Sequence, residues 1–186
     1  MKKLLIALAI VCSVSALRAE PDYYVALYAW APGQLPTTAS SAVCGLRATL
    51  VYGDCTIMDG LDLAIGANRT RERFNGLAIA LCYNYANSAA GTQLGFANIV
   101  DYEFYGLQLG AWNHAGEGYG CQCGVVNTAD YFAGLQLGLF NWSNDFDGLQ
   151  LGLLNWSNSL DGLQVGLVNV IEDQRHYVLP IVNFNF

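Results

Sequence analysis

The chain has 186 residues, of which 54% are apolar and 12% are charged, and its formal net charge at pH 7 is −7. An apolar chain with so few charges is not disordered, and its length predicts one domain. Beyond residue 19 the basic residues are five arginines. This balance excludes nucleic acid as an expected partner, because phosphate binding needs a surface rich in Lys and Arg.

The N-terminal segment is typical of a bacterial secretory signal peptide. Two lysines precede an apolar run, and the small residues Ala16 and Ala19 follow it. This layout predicts cleavage after Ala19, with Ala16 as the alternative. The run is shorter than the roughly 20 residues of a transmembrane helix. We therefore predict that residues 1–19 are removed on export and that residues 20–186 form a single β-repeat domain.

The exported part begins with a predicted strand at Tyr23 to Trp30 and a loop rich in Pro, Ser and Thr. A repeat then follows at intervals of 14 to 16 residues. The glycines that open its nine units are Gly45, Gly60, Gly76, Gly91, Gly106, Gly120, Gly134, Gly148 and Gly162. In six units an asparagine lies seven residues after this glycine: Asn98, Asn113, Asn127, Asn141, Asn155 and Asn169. Repeats this regular determine the fold.

Within a unit the apolar residues alternate, which predicts a strand. Leu149, Leu151 and Leu153 point to one side of an extended segment, and Gln150 points to the other. We expect the leucine side to be buried. Asx-Gly pairs such as Asp147-Gly148 favour tight turns between strands. The last segment, residues 177–186, alternates as well and predicts a C-terminal strand.

Two all-β architectures accept these strands. In the first, an antiparallel meander closes as a small outer-membrane β-barrel; in the second, each unit is one coil of a β-solenoid with asparagines stacked in ladders. A nine-residue strand tilted near 40° spans about 23 Å, close to the ~25 Å apolar band of membrane barrels. The aromatic C-terminus at Phe186 also favours the barrel. Short, similar connections and an odd total of eleven candidate strands favour the solenoid.

The phrase G-L-Q-[LV]-G-L-x-N resembles that of bacterial surface-repeat proteins. It opens at Gly134, Gly148 and Gly162, and with one change at Gly106, whereas Gly120 departs from it with "GCQCGVVN". The resemblance implies a β-rich protein of the cell envelope and brings no catalytic residues. With the barrel, it makes outer-membrane lipid the expected partner.

The cysteines are the first candidates for chemistry. Cys121 and Cys123 form a C-x-C motif that can bind a soft metal, but it is better interpreted as a pair of small apolar residues or a disulfide. Cys44 and Cys55 are a possible bridge in an exported protein. With Cys82 the exported count is five, so at least one thiol is left without an intramolecular partner.

The remaining candidates are weaker. Asn144, Asp145 and Asp147 alternate as in a calcium loop, but Asx-rich turns occur throughout this repeat. His114 and His176 are the two possible bases near neutral pH, and neither has a motif around it. We therefore predict no enzyme, cofactor or metal.

The sequence thus predicts an exported envelope protein with a structural or surface-interaction role, at the outer membrane or cell surface. A secreted or periplasmic β-solenoid binding module is the alternative, and a small envelope hydrolase is a remote one. The external ligand or protein partner is unknown.

Overall fold

A computed structural model describes residues 23–24, 42–49, 51–173 and 177–186, and all regular secondary structure in these ranges is β-strand. Nine strands form one sheet whose order follows the chain. They are β1 Tyr23–Tyr24, β2 Ala42–Thr49, β3 Tyr52–Ala64, β4 Ala67–Ala80, β5 Tyr83–Leu94, β6 Ala97–Leu137, β7 Phe140–Leu151, β8 Leu154–Ile171 and β9 Tyr177–Asn185. The predicted all-β class is confirmed. The predicted signal peptide, residues 25–30 of the first predicted strand and His176 lie outside the described residues.

The strands wind into a β-solenoid of about eight turns. Each strand from β1 to β7 pairs with the next in parallel. Equivalent residues of successive units face each other, as in Leu135, Leu149 and Leu163. The antiparallel meander and the barrel are therefore wrong, and the solenoid alternative is confirmed. Each coil ends beside the start of the same coil, one strand spacing further along the axis. The chain therefore enters the next parallel strand without a separate hairpin loop.

The opening glycines form one corner of every coil. All nine have a positive φ, between 112° at Gly45 and 147° at Gly162. A Cβ on Gly148 would lie 2.2 Å from the carbonyl oxygen of Gly134 in the preceding coil. Only glycine fits at Gly148, because its φ lies in the left-handed region and the carbonyl of the preceding coil occupies the space that a Cβ would need. The Asx-Gly pairs therefore bend continuous strands and do not make the predicted hairpin turns: Asp147-Gly148 lies inside β7.

The interior contains the glutamine side of the strand, which a solenoid with buried leucines would leave facing water. In the coil opened by Gly148, four inward side chains are at most 2% exposed: Gln150, Asn155, Ser157 and Leu160. Leu153 is 47% exposed, and Leu149 and Leu151 are half-buried on the outside. The expected burial of these leucines is therefore wrong, because alternation identifies two sides of a strand but not which side is enclosed.

The C-terminal strand is confirmed as β9, with a different role from a membrane span. It pairs antiparallel with β8, from Ile171 opposite Tyr177 to Gly162 opposite Asn185. This covers the open edge of the last coil. Pro180 is tolerated here because an edge strand does not need every backbone N–H.

Candidate interaction surface

A ladder of asparagines fixes the inside of the solenoid. Each Asn Nδ2 donates to Oδ1 of the asparagine in the next coil, over 2.7–3.1 Å. The same amide also donates to a backbone carbonyl; for Asn141 this is Leu151, at 3.0 Å. The predicted ladder is confirmed and also includes Asn68 and Asn84. Gly152 makes room for it, because a Cβ there would lie 2.7 Å from Asn141 Nδ2.

A second ladder consists of glutamines and runs with the opposite polarity. Gln150 Nε2 donates to Gln136 Oε1 in the preceding coil at 2.8 Å. Equivalent bonds of 2.8–3.0 Å link each glutamine to the next along the whole column, which begins at Gln93 and ends at Gln164. Asparagines donate forward along the chain and glutamines donate backward. Each ladder therefore ends on an open acceptor, at Asn68 Oδ1 and Gln164 Oε1, and both are buried side-chain atoms without a hydrogen-bond partner.

The first three units have no glutamine in this column. Ala78 takes the position below Gln93, and a buried ion pair replaces the amides below it. Arg47 donates to Asp62 through Nε at 2.8 Å and through Nη2 at 2.5 Å. Burial raises the pKa of the Asp62 carboxyl, and the Arg47 guanidinium opposes that rise. The pair joins the first two coils, as the amides join the later ones.

Because the amides occupy the inside, the leucines cover the outside. We call the outward positions one, three and five residues after each opening glycine, in the eight units from Gly60 to Gly162, the leucine face. None of these residues is charged. Positions one and three are half-buried throughout. Position five is the most exposed, with Leu81 at 69%, Phe96 at 68% and Leu167 at 67%.

The leucine face is large for an isolated chain. Eight coils about 4.8 Å apart and five residues of about 3.3 Å give an area of roughly 38 Å by 17 Å, or about 650 Å². The largest apolar patch of a typical monomer is about 300–600 Å² and is often functional. A surface of this size without a charge is therefore the strongest functional feature of the described residues.

The apolar surface continues around an edge of the solenoid. We call the adjoining exposed residues Trp112, Phe140, Trp142 and Val168 the apolar edge; they are between 41% and 47% exposed. The exposed carboxylates of the described residues lie elsewhere in the coil, ten to thirteen residues after the opening glycine: Glu72, Asp101, Glu103, Glu117, Asp130, Asp145, Asp147, Asp161, Glu172 and Asp173. The solenoid is thus amphipathic around its axis, with an apolar side and an acidic side.

The structure does not bring Cys44 and Cys55 together, but it places Cys121 and Cys123 side by side. Cys44 and Cys55 are free thiols. Cys44 is half-buried opposite Asp59, whereas Cys55 is fully buried opposite Thr70, so the predicted bridge is wrong. Cys121 and Cys123 lie on the leucine face with their Sγ atoms 3.3 Å apart.

The other candidate residues take part in ordinary contacts. Asn144 donates to Asp130 Oδ1 at 3.2 Å and accepts from Asn158 at 3.4 Å, so it extends a surface row of polar side chains. Among the described residues no three His, Cys, Asp or Glu side chains are grouped closely enough to hold a metal ion. His114 Nδ1 lies 3.0 Å from Thr128 Oγ1. That hydroxyl donates to the backbone carbonyl of Asn113, so its proton is already engaged.

No protein-family model, curated protein or solved structure matches the chain. In the described ranges no helix is long and apolar enough to cross a membrane. The leucine face, the apolar edge and the Cys121–Cys123 pair are therefore the features from which a function is inferred.

Proposed function

We propose that the chain is an exported cell-envelope protein with a surface-interaction role, and that its solenoid binds a lipid surface through the leucine face and the apolar edge. One observation carries this proposal: a large, uncharged apolar surface that faces outward in all eight units. The resemblance of its repeat to bacterial surface-repeat proteins supports the envelope location.

The shape of the apolar surface favours lipid over a second protein. The exposed residues continue from the leucine face, past the bend at position five, to the apolar edge. A rigid partner that covers the leucine face would leave the apolar edge in water, whereas a fluid bilayer surface can cover both. Trp112 and Trp142 on the edge suit the membrane interface, since tryptophan combines a large apolar ring with a polar N–H. At about 25 cal/mol per Å², burial of a third of 650 Å² contributes about 5 kcal/mol.

The charge distribution is compatible with the same orientation. With the leucine face on the lipid, the carboxylates ten to thirteen residues after each opening glycine remain in water. An acidic protein gains little from anionic headgroups, so the attraction is apolar and should depend weakly on salt. We therefore expect the folded chain to float with vesicles of zwitterionic phosphatidylcholine in a density gradient.

A lysine on the leucine face is expected to weaken this binding. Leu153→Lys introduces a charge at a position that is 47% exposed, so the fold should tolerate it. We expect at least about tenfold weaker partitioning, because roughly 1.4 kcal/mol of lost apolar contact and desolvation is enough for that factor. Ser159→Lys, on the acidic side of the same coil, is the matched control and should change partitioning less than about twofold.

Two other outcomes of the vesicle experiment would contradict lipid binding and indicate a different class of partner. A chain that stays in solution as a monomer with vesicles present would remove lipid as the partner and return the protein to the class of soluble binding modules. A chain that does not float with vesicles and forms dimers would assign the leucine face to a second copy, provided that Leu153→Lys disrupts the dimer and Ser159→Lys does not. Circular dichroism of both variants shows that the fold is retained.

A further inference from the structure

Cys121 and Cys123 are two thiols held side by side on one strand. They occupy positions one and three of the leucine face, where the preceding and following units have leucine: Leu107, Leu109, Leu135 and Leu137. Both are half-buried, so each remains accessible from solution. Their Sγ atoms are 3.3 Å apart, which places each sulfur within reach of the other.

We propose that Cys121 and Cys123 form a reversible dithiol–disulfide pair that exchanges with small disulfides. This modification site goes beyond lipid binding and does not depend on it. Residues two apart on a strand have Cα atoms about 6.6 Å apart. Disulfides span Cα separations of about 4.4–6.8 Å, most often 5.5–6 Å. The bridge can therefore form with a small movement of the backbone, at the upper limit of the range.

The fold resists the shortening that a relaxed bridge would need. Gln122 lies between the two cysteines with its side chain inside, where it donates to Gln108 at 2.8 Å and accepts from Gln136 at 2.8 Å. The backbone of this strand is also in contact with the coils on both sides. A Cβ on Gly124 would lie 2.3 Å from the carbonyl oxygen of Gly110 in the preceding coil, and a Cβ on Gly138 in the following coil would lie 2.9 Å from that of Gly124. The bridged form is therefore strained, and strained, exposed disulfides are the ones most readily reduced.

The two sulfurs have different parts in the exchange. Burial and the contact with Cys123 raise the pKa of Cys121 to about 12, so Cys121 keeps its proton at neutral pH. Its Sγ lies 3.3 Å from the Cys123 Sγ, and we assign Cys123, once it is a thiolate, as the attacking sulfur. That thiolate breaks the S–S bond of a small disulfide, forms a mixed disulfide and releases one thiolate.

The second step closes the bridge. The released thiolate takes the proton of Cys121, and the Cys121 sulfur then attacks the sulfur of Cys123 in the mixed disulfide. The Cys121–Cys123 bond forms as the second small thiolate leaves and takes a proton from water. Overall two protein thiols are oxidised and one small disulfide is reduced to two thiols, so atoms and electrons balance.

Glutathione disulfide is a suitable probe for the folded full-length chain. After incubation, free thiols are alkylated and the chain is cut after Glu117 and Asp130, which isolates residues 118–130 with both cysteines and none of the other three. We expect this peptide to lose the mass of two hydrogen atoms and to resist alkylation. Reduced glutathione alone should then restore both thiols.

Single variants distinguish the two steps. Cys121→Ser should retain a glutathione adduct on Cys123, since nothing remains to displace it, whereas Cys123→Ser should react much more slowly. Three results for the unaltered chain would overturn the proposal: a peptide that stays fully alkylatable, a lasting glutathione adduct, or a bridge that reduced glutathione leaves intact. None of these measurements uses lipid, so the proposal can fail while lipid binding stands, and the reverse.

Discussion

Gly148→Ala is expected to destabilise the solenoid by about 4 kcal/mol or more, which is exceptional for one methyl group. Two costs coincide at this position. The φ of Gly148 is +129°, a region that strains an alanine by about 1–3 kcal/mol. The added Cβ would also lie 2.2 Å from the carbonyl oxygen of Gly134, and a backbone atom cannot move aside as a flexible side chain can. Relief requires that the coils separate, which breaks the hydrogen bonds of both ladders.

Two control variants separate these costs. Gly45 has a φ of +112°, but among the described residues a Cβ there meets nothing within 4 Å, so Gly45→Ala should show mainly the backbone strain. Gly152→Ala keeps an ordinary φ but brings a Cβ to 2.7 Å from Asn141 Nδ2, and overpacking of this kind costs about 1–3 kcal/mol. Urea unfolding followed by circular dichroism measures all three. Equal losses for Gly148→Ala and Gly45→Ala would show that contact between the coils is not the main cost.

The repeat itself was readable from the sequence. The glycine spacing and the period-two alternation were enough to predict strands and their phase, and the solenoid alternative included the asparagine ladder. The predicted length was wrong, because β6 runs through several units instead of ending within one. The direction of pairing was not readable, because alternation is the same in parallel and antiparallel strands. Two observations spoke against a barrel: the similar short connections and the odd number of strands. Both are expected of a solenoid, in which Gly134, Gly148 and Gly162 stack directly over one another.

For a solenoid, the side of the strand that is enclosed was predicted wrongly, and the reason is physical. Burial of leucine is the usual rule, but Gln150 and Asn155 can be buried at low cost, since identical amides one coil apart satisfy each other. A signal for this was present in the sequence. Gly152 recurs between these two amides, and its missing side chain leaves the space that the asparagine ladder occupies.

The candidate surface was also only partly predictable. C-x-C is visible in the sequence, and its strand geometry places both sulfurs on one side. The exposure of the leucine face was not predictable until the interior was known to be filled by amides. For Cys44 and Cys55, closeness in sequence was misleading. Cys44 points outward and Cys55 is enclosed, so the two sulfurs do not meet.

The ladders are expected to make the interior highly sensitive to the loss of one amide group. Asn141→Asp keeps the shape of the side chain but removes both N–H donors. Asn141 Nδ2 donates 2.8 Å to Asn155 Oδ1 and 3.0 Å to the carbonyl of Leu151, so two acceptors would face the new carboxylate. One contact survives, because the Asn127 amide still donates to the side-chain oxygen at this position. A buried charge with unpaired neighbours typically costs about 3–5 kcal/mol, and we expect a loss of that size at pH 7.

The pH dependence identifies the charge as the cause. Burial raises the pKa of the new carboxyl in the folded state above its unfolded value of about 3.9. The folded state then binds more protons between the two pKa values, so stability falls as the pH rises through that window and is constant above it. The loss at pH 7 should therefore shrink as the pH is lowered towards 4, because the protonated carboxyl can donate to Asn155. Asn87→Asp is the control: Asn87 is half-buried outside both ladders, so a carboxylate there keeps contact with water and should cost much less at pH 7. A loss for Asn141→Asp that is the same at both pH values would mean that the broken ladder geometry, and not the buried charge, sets the cost.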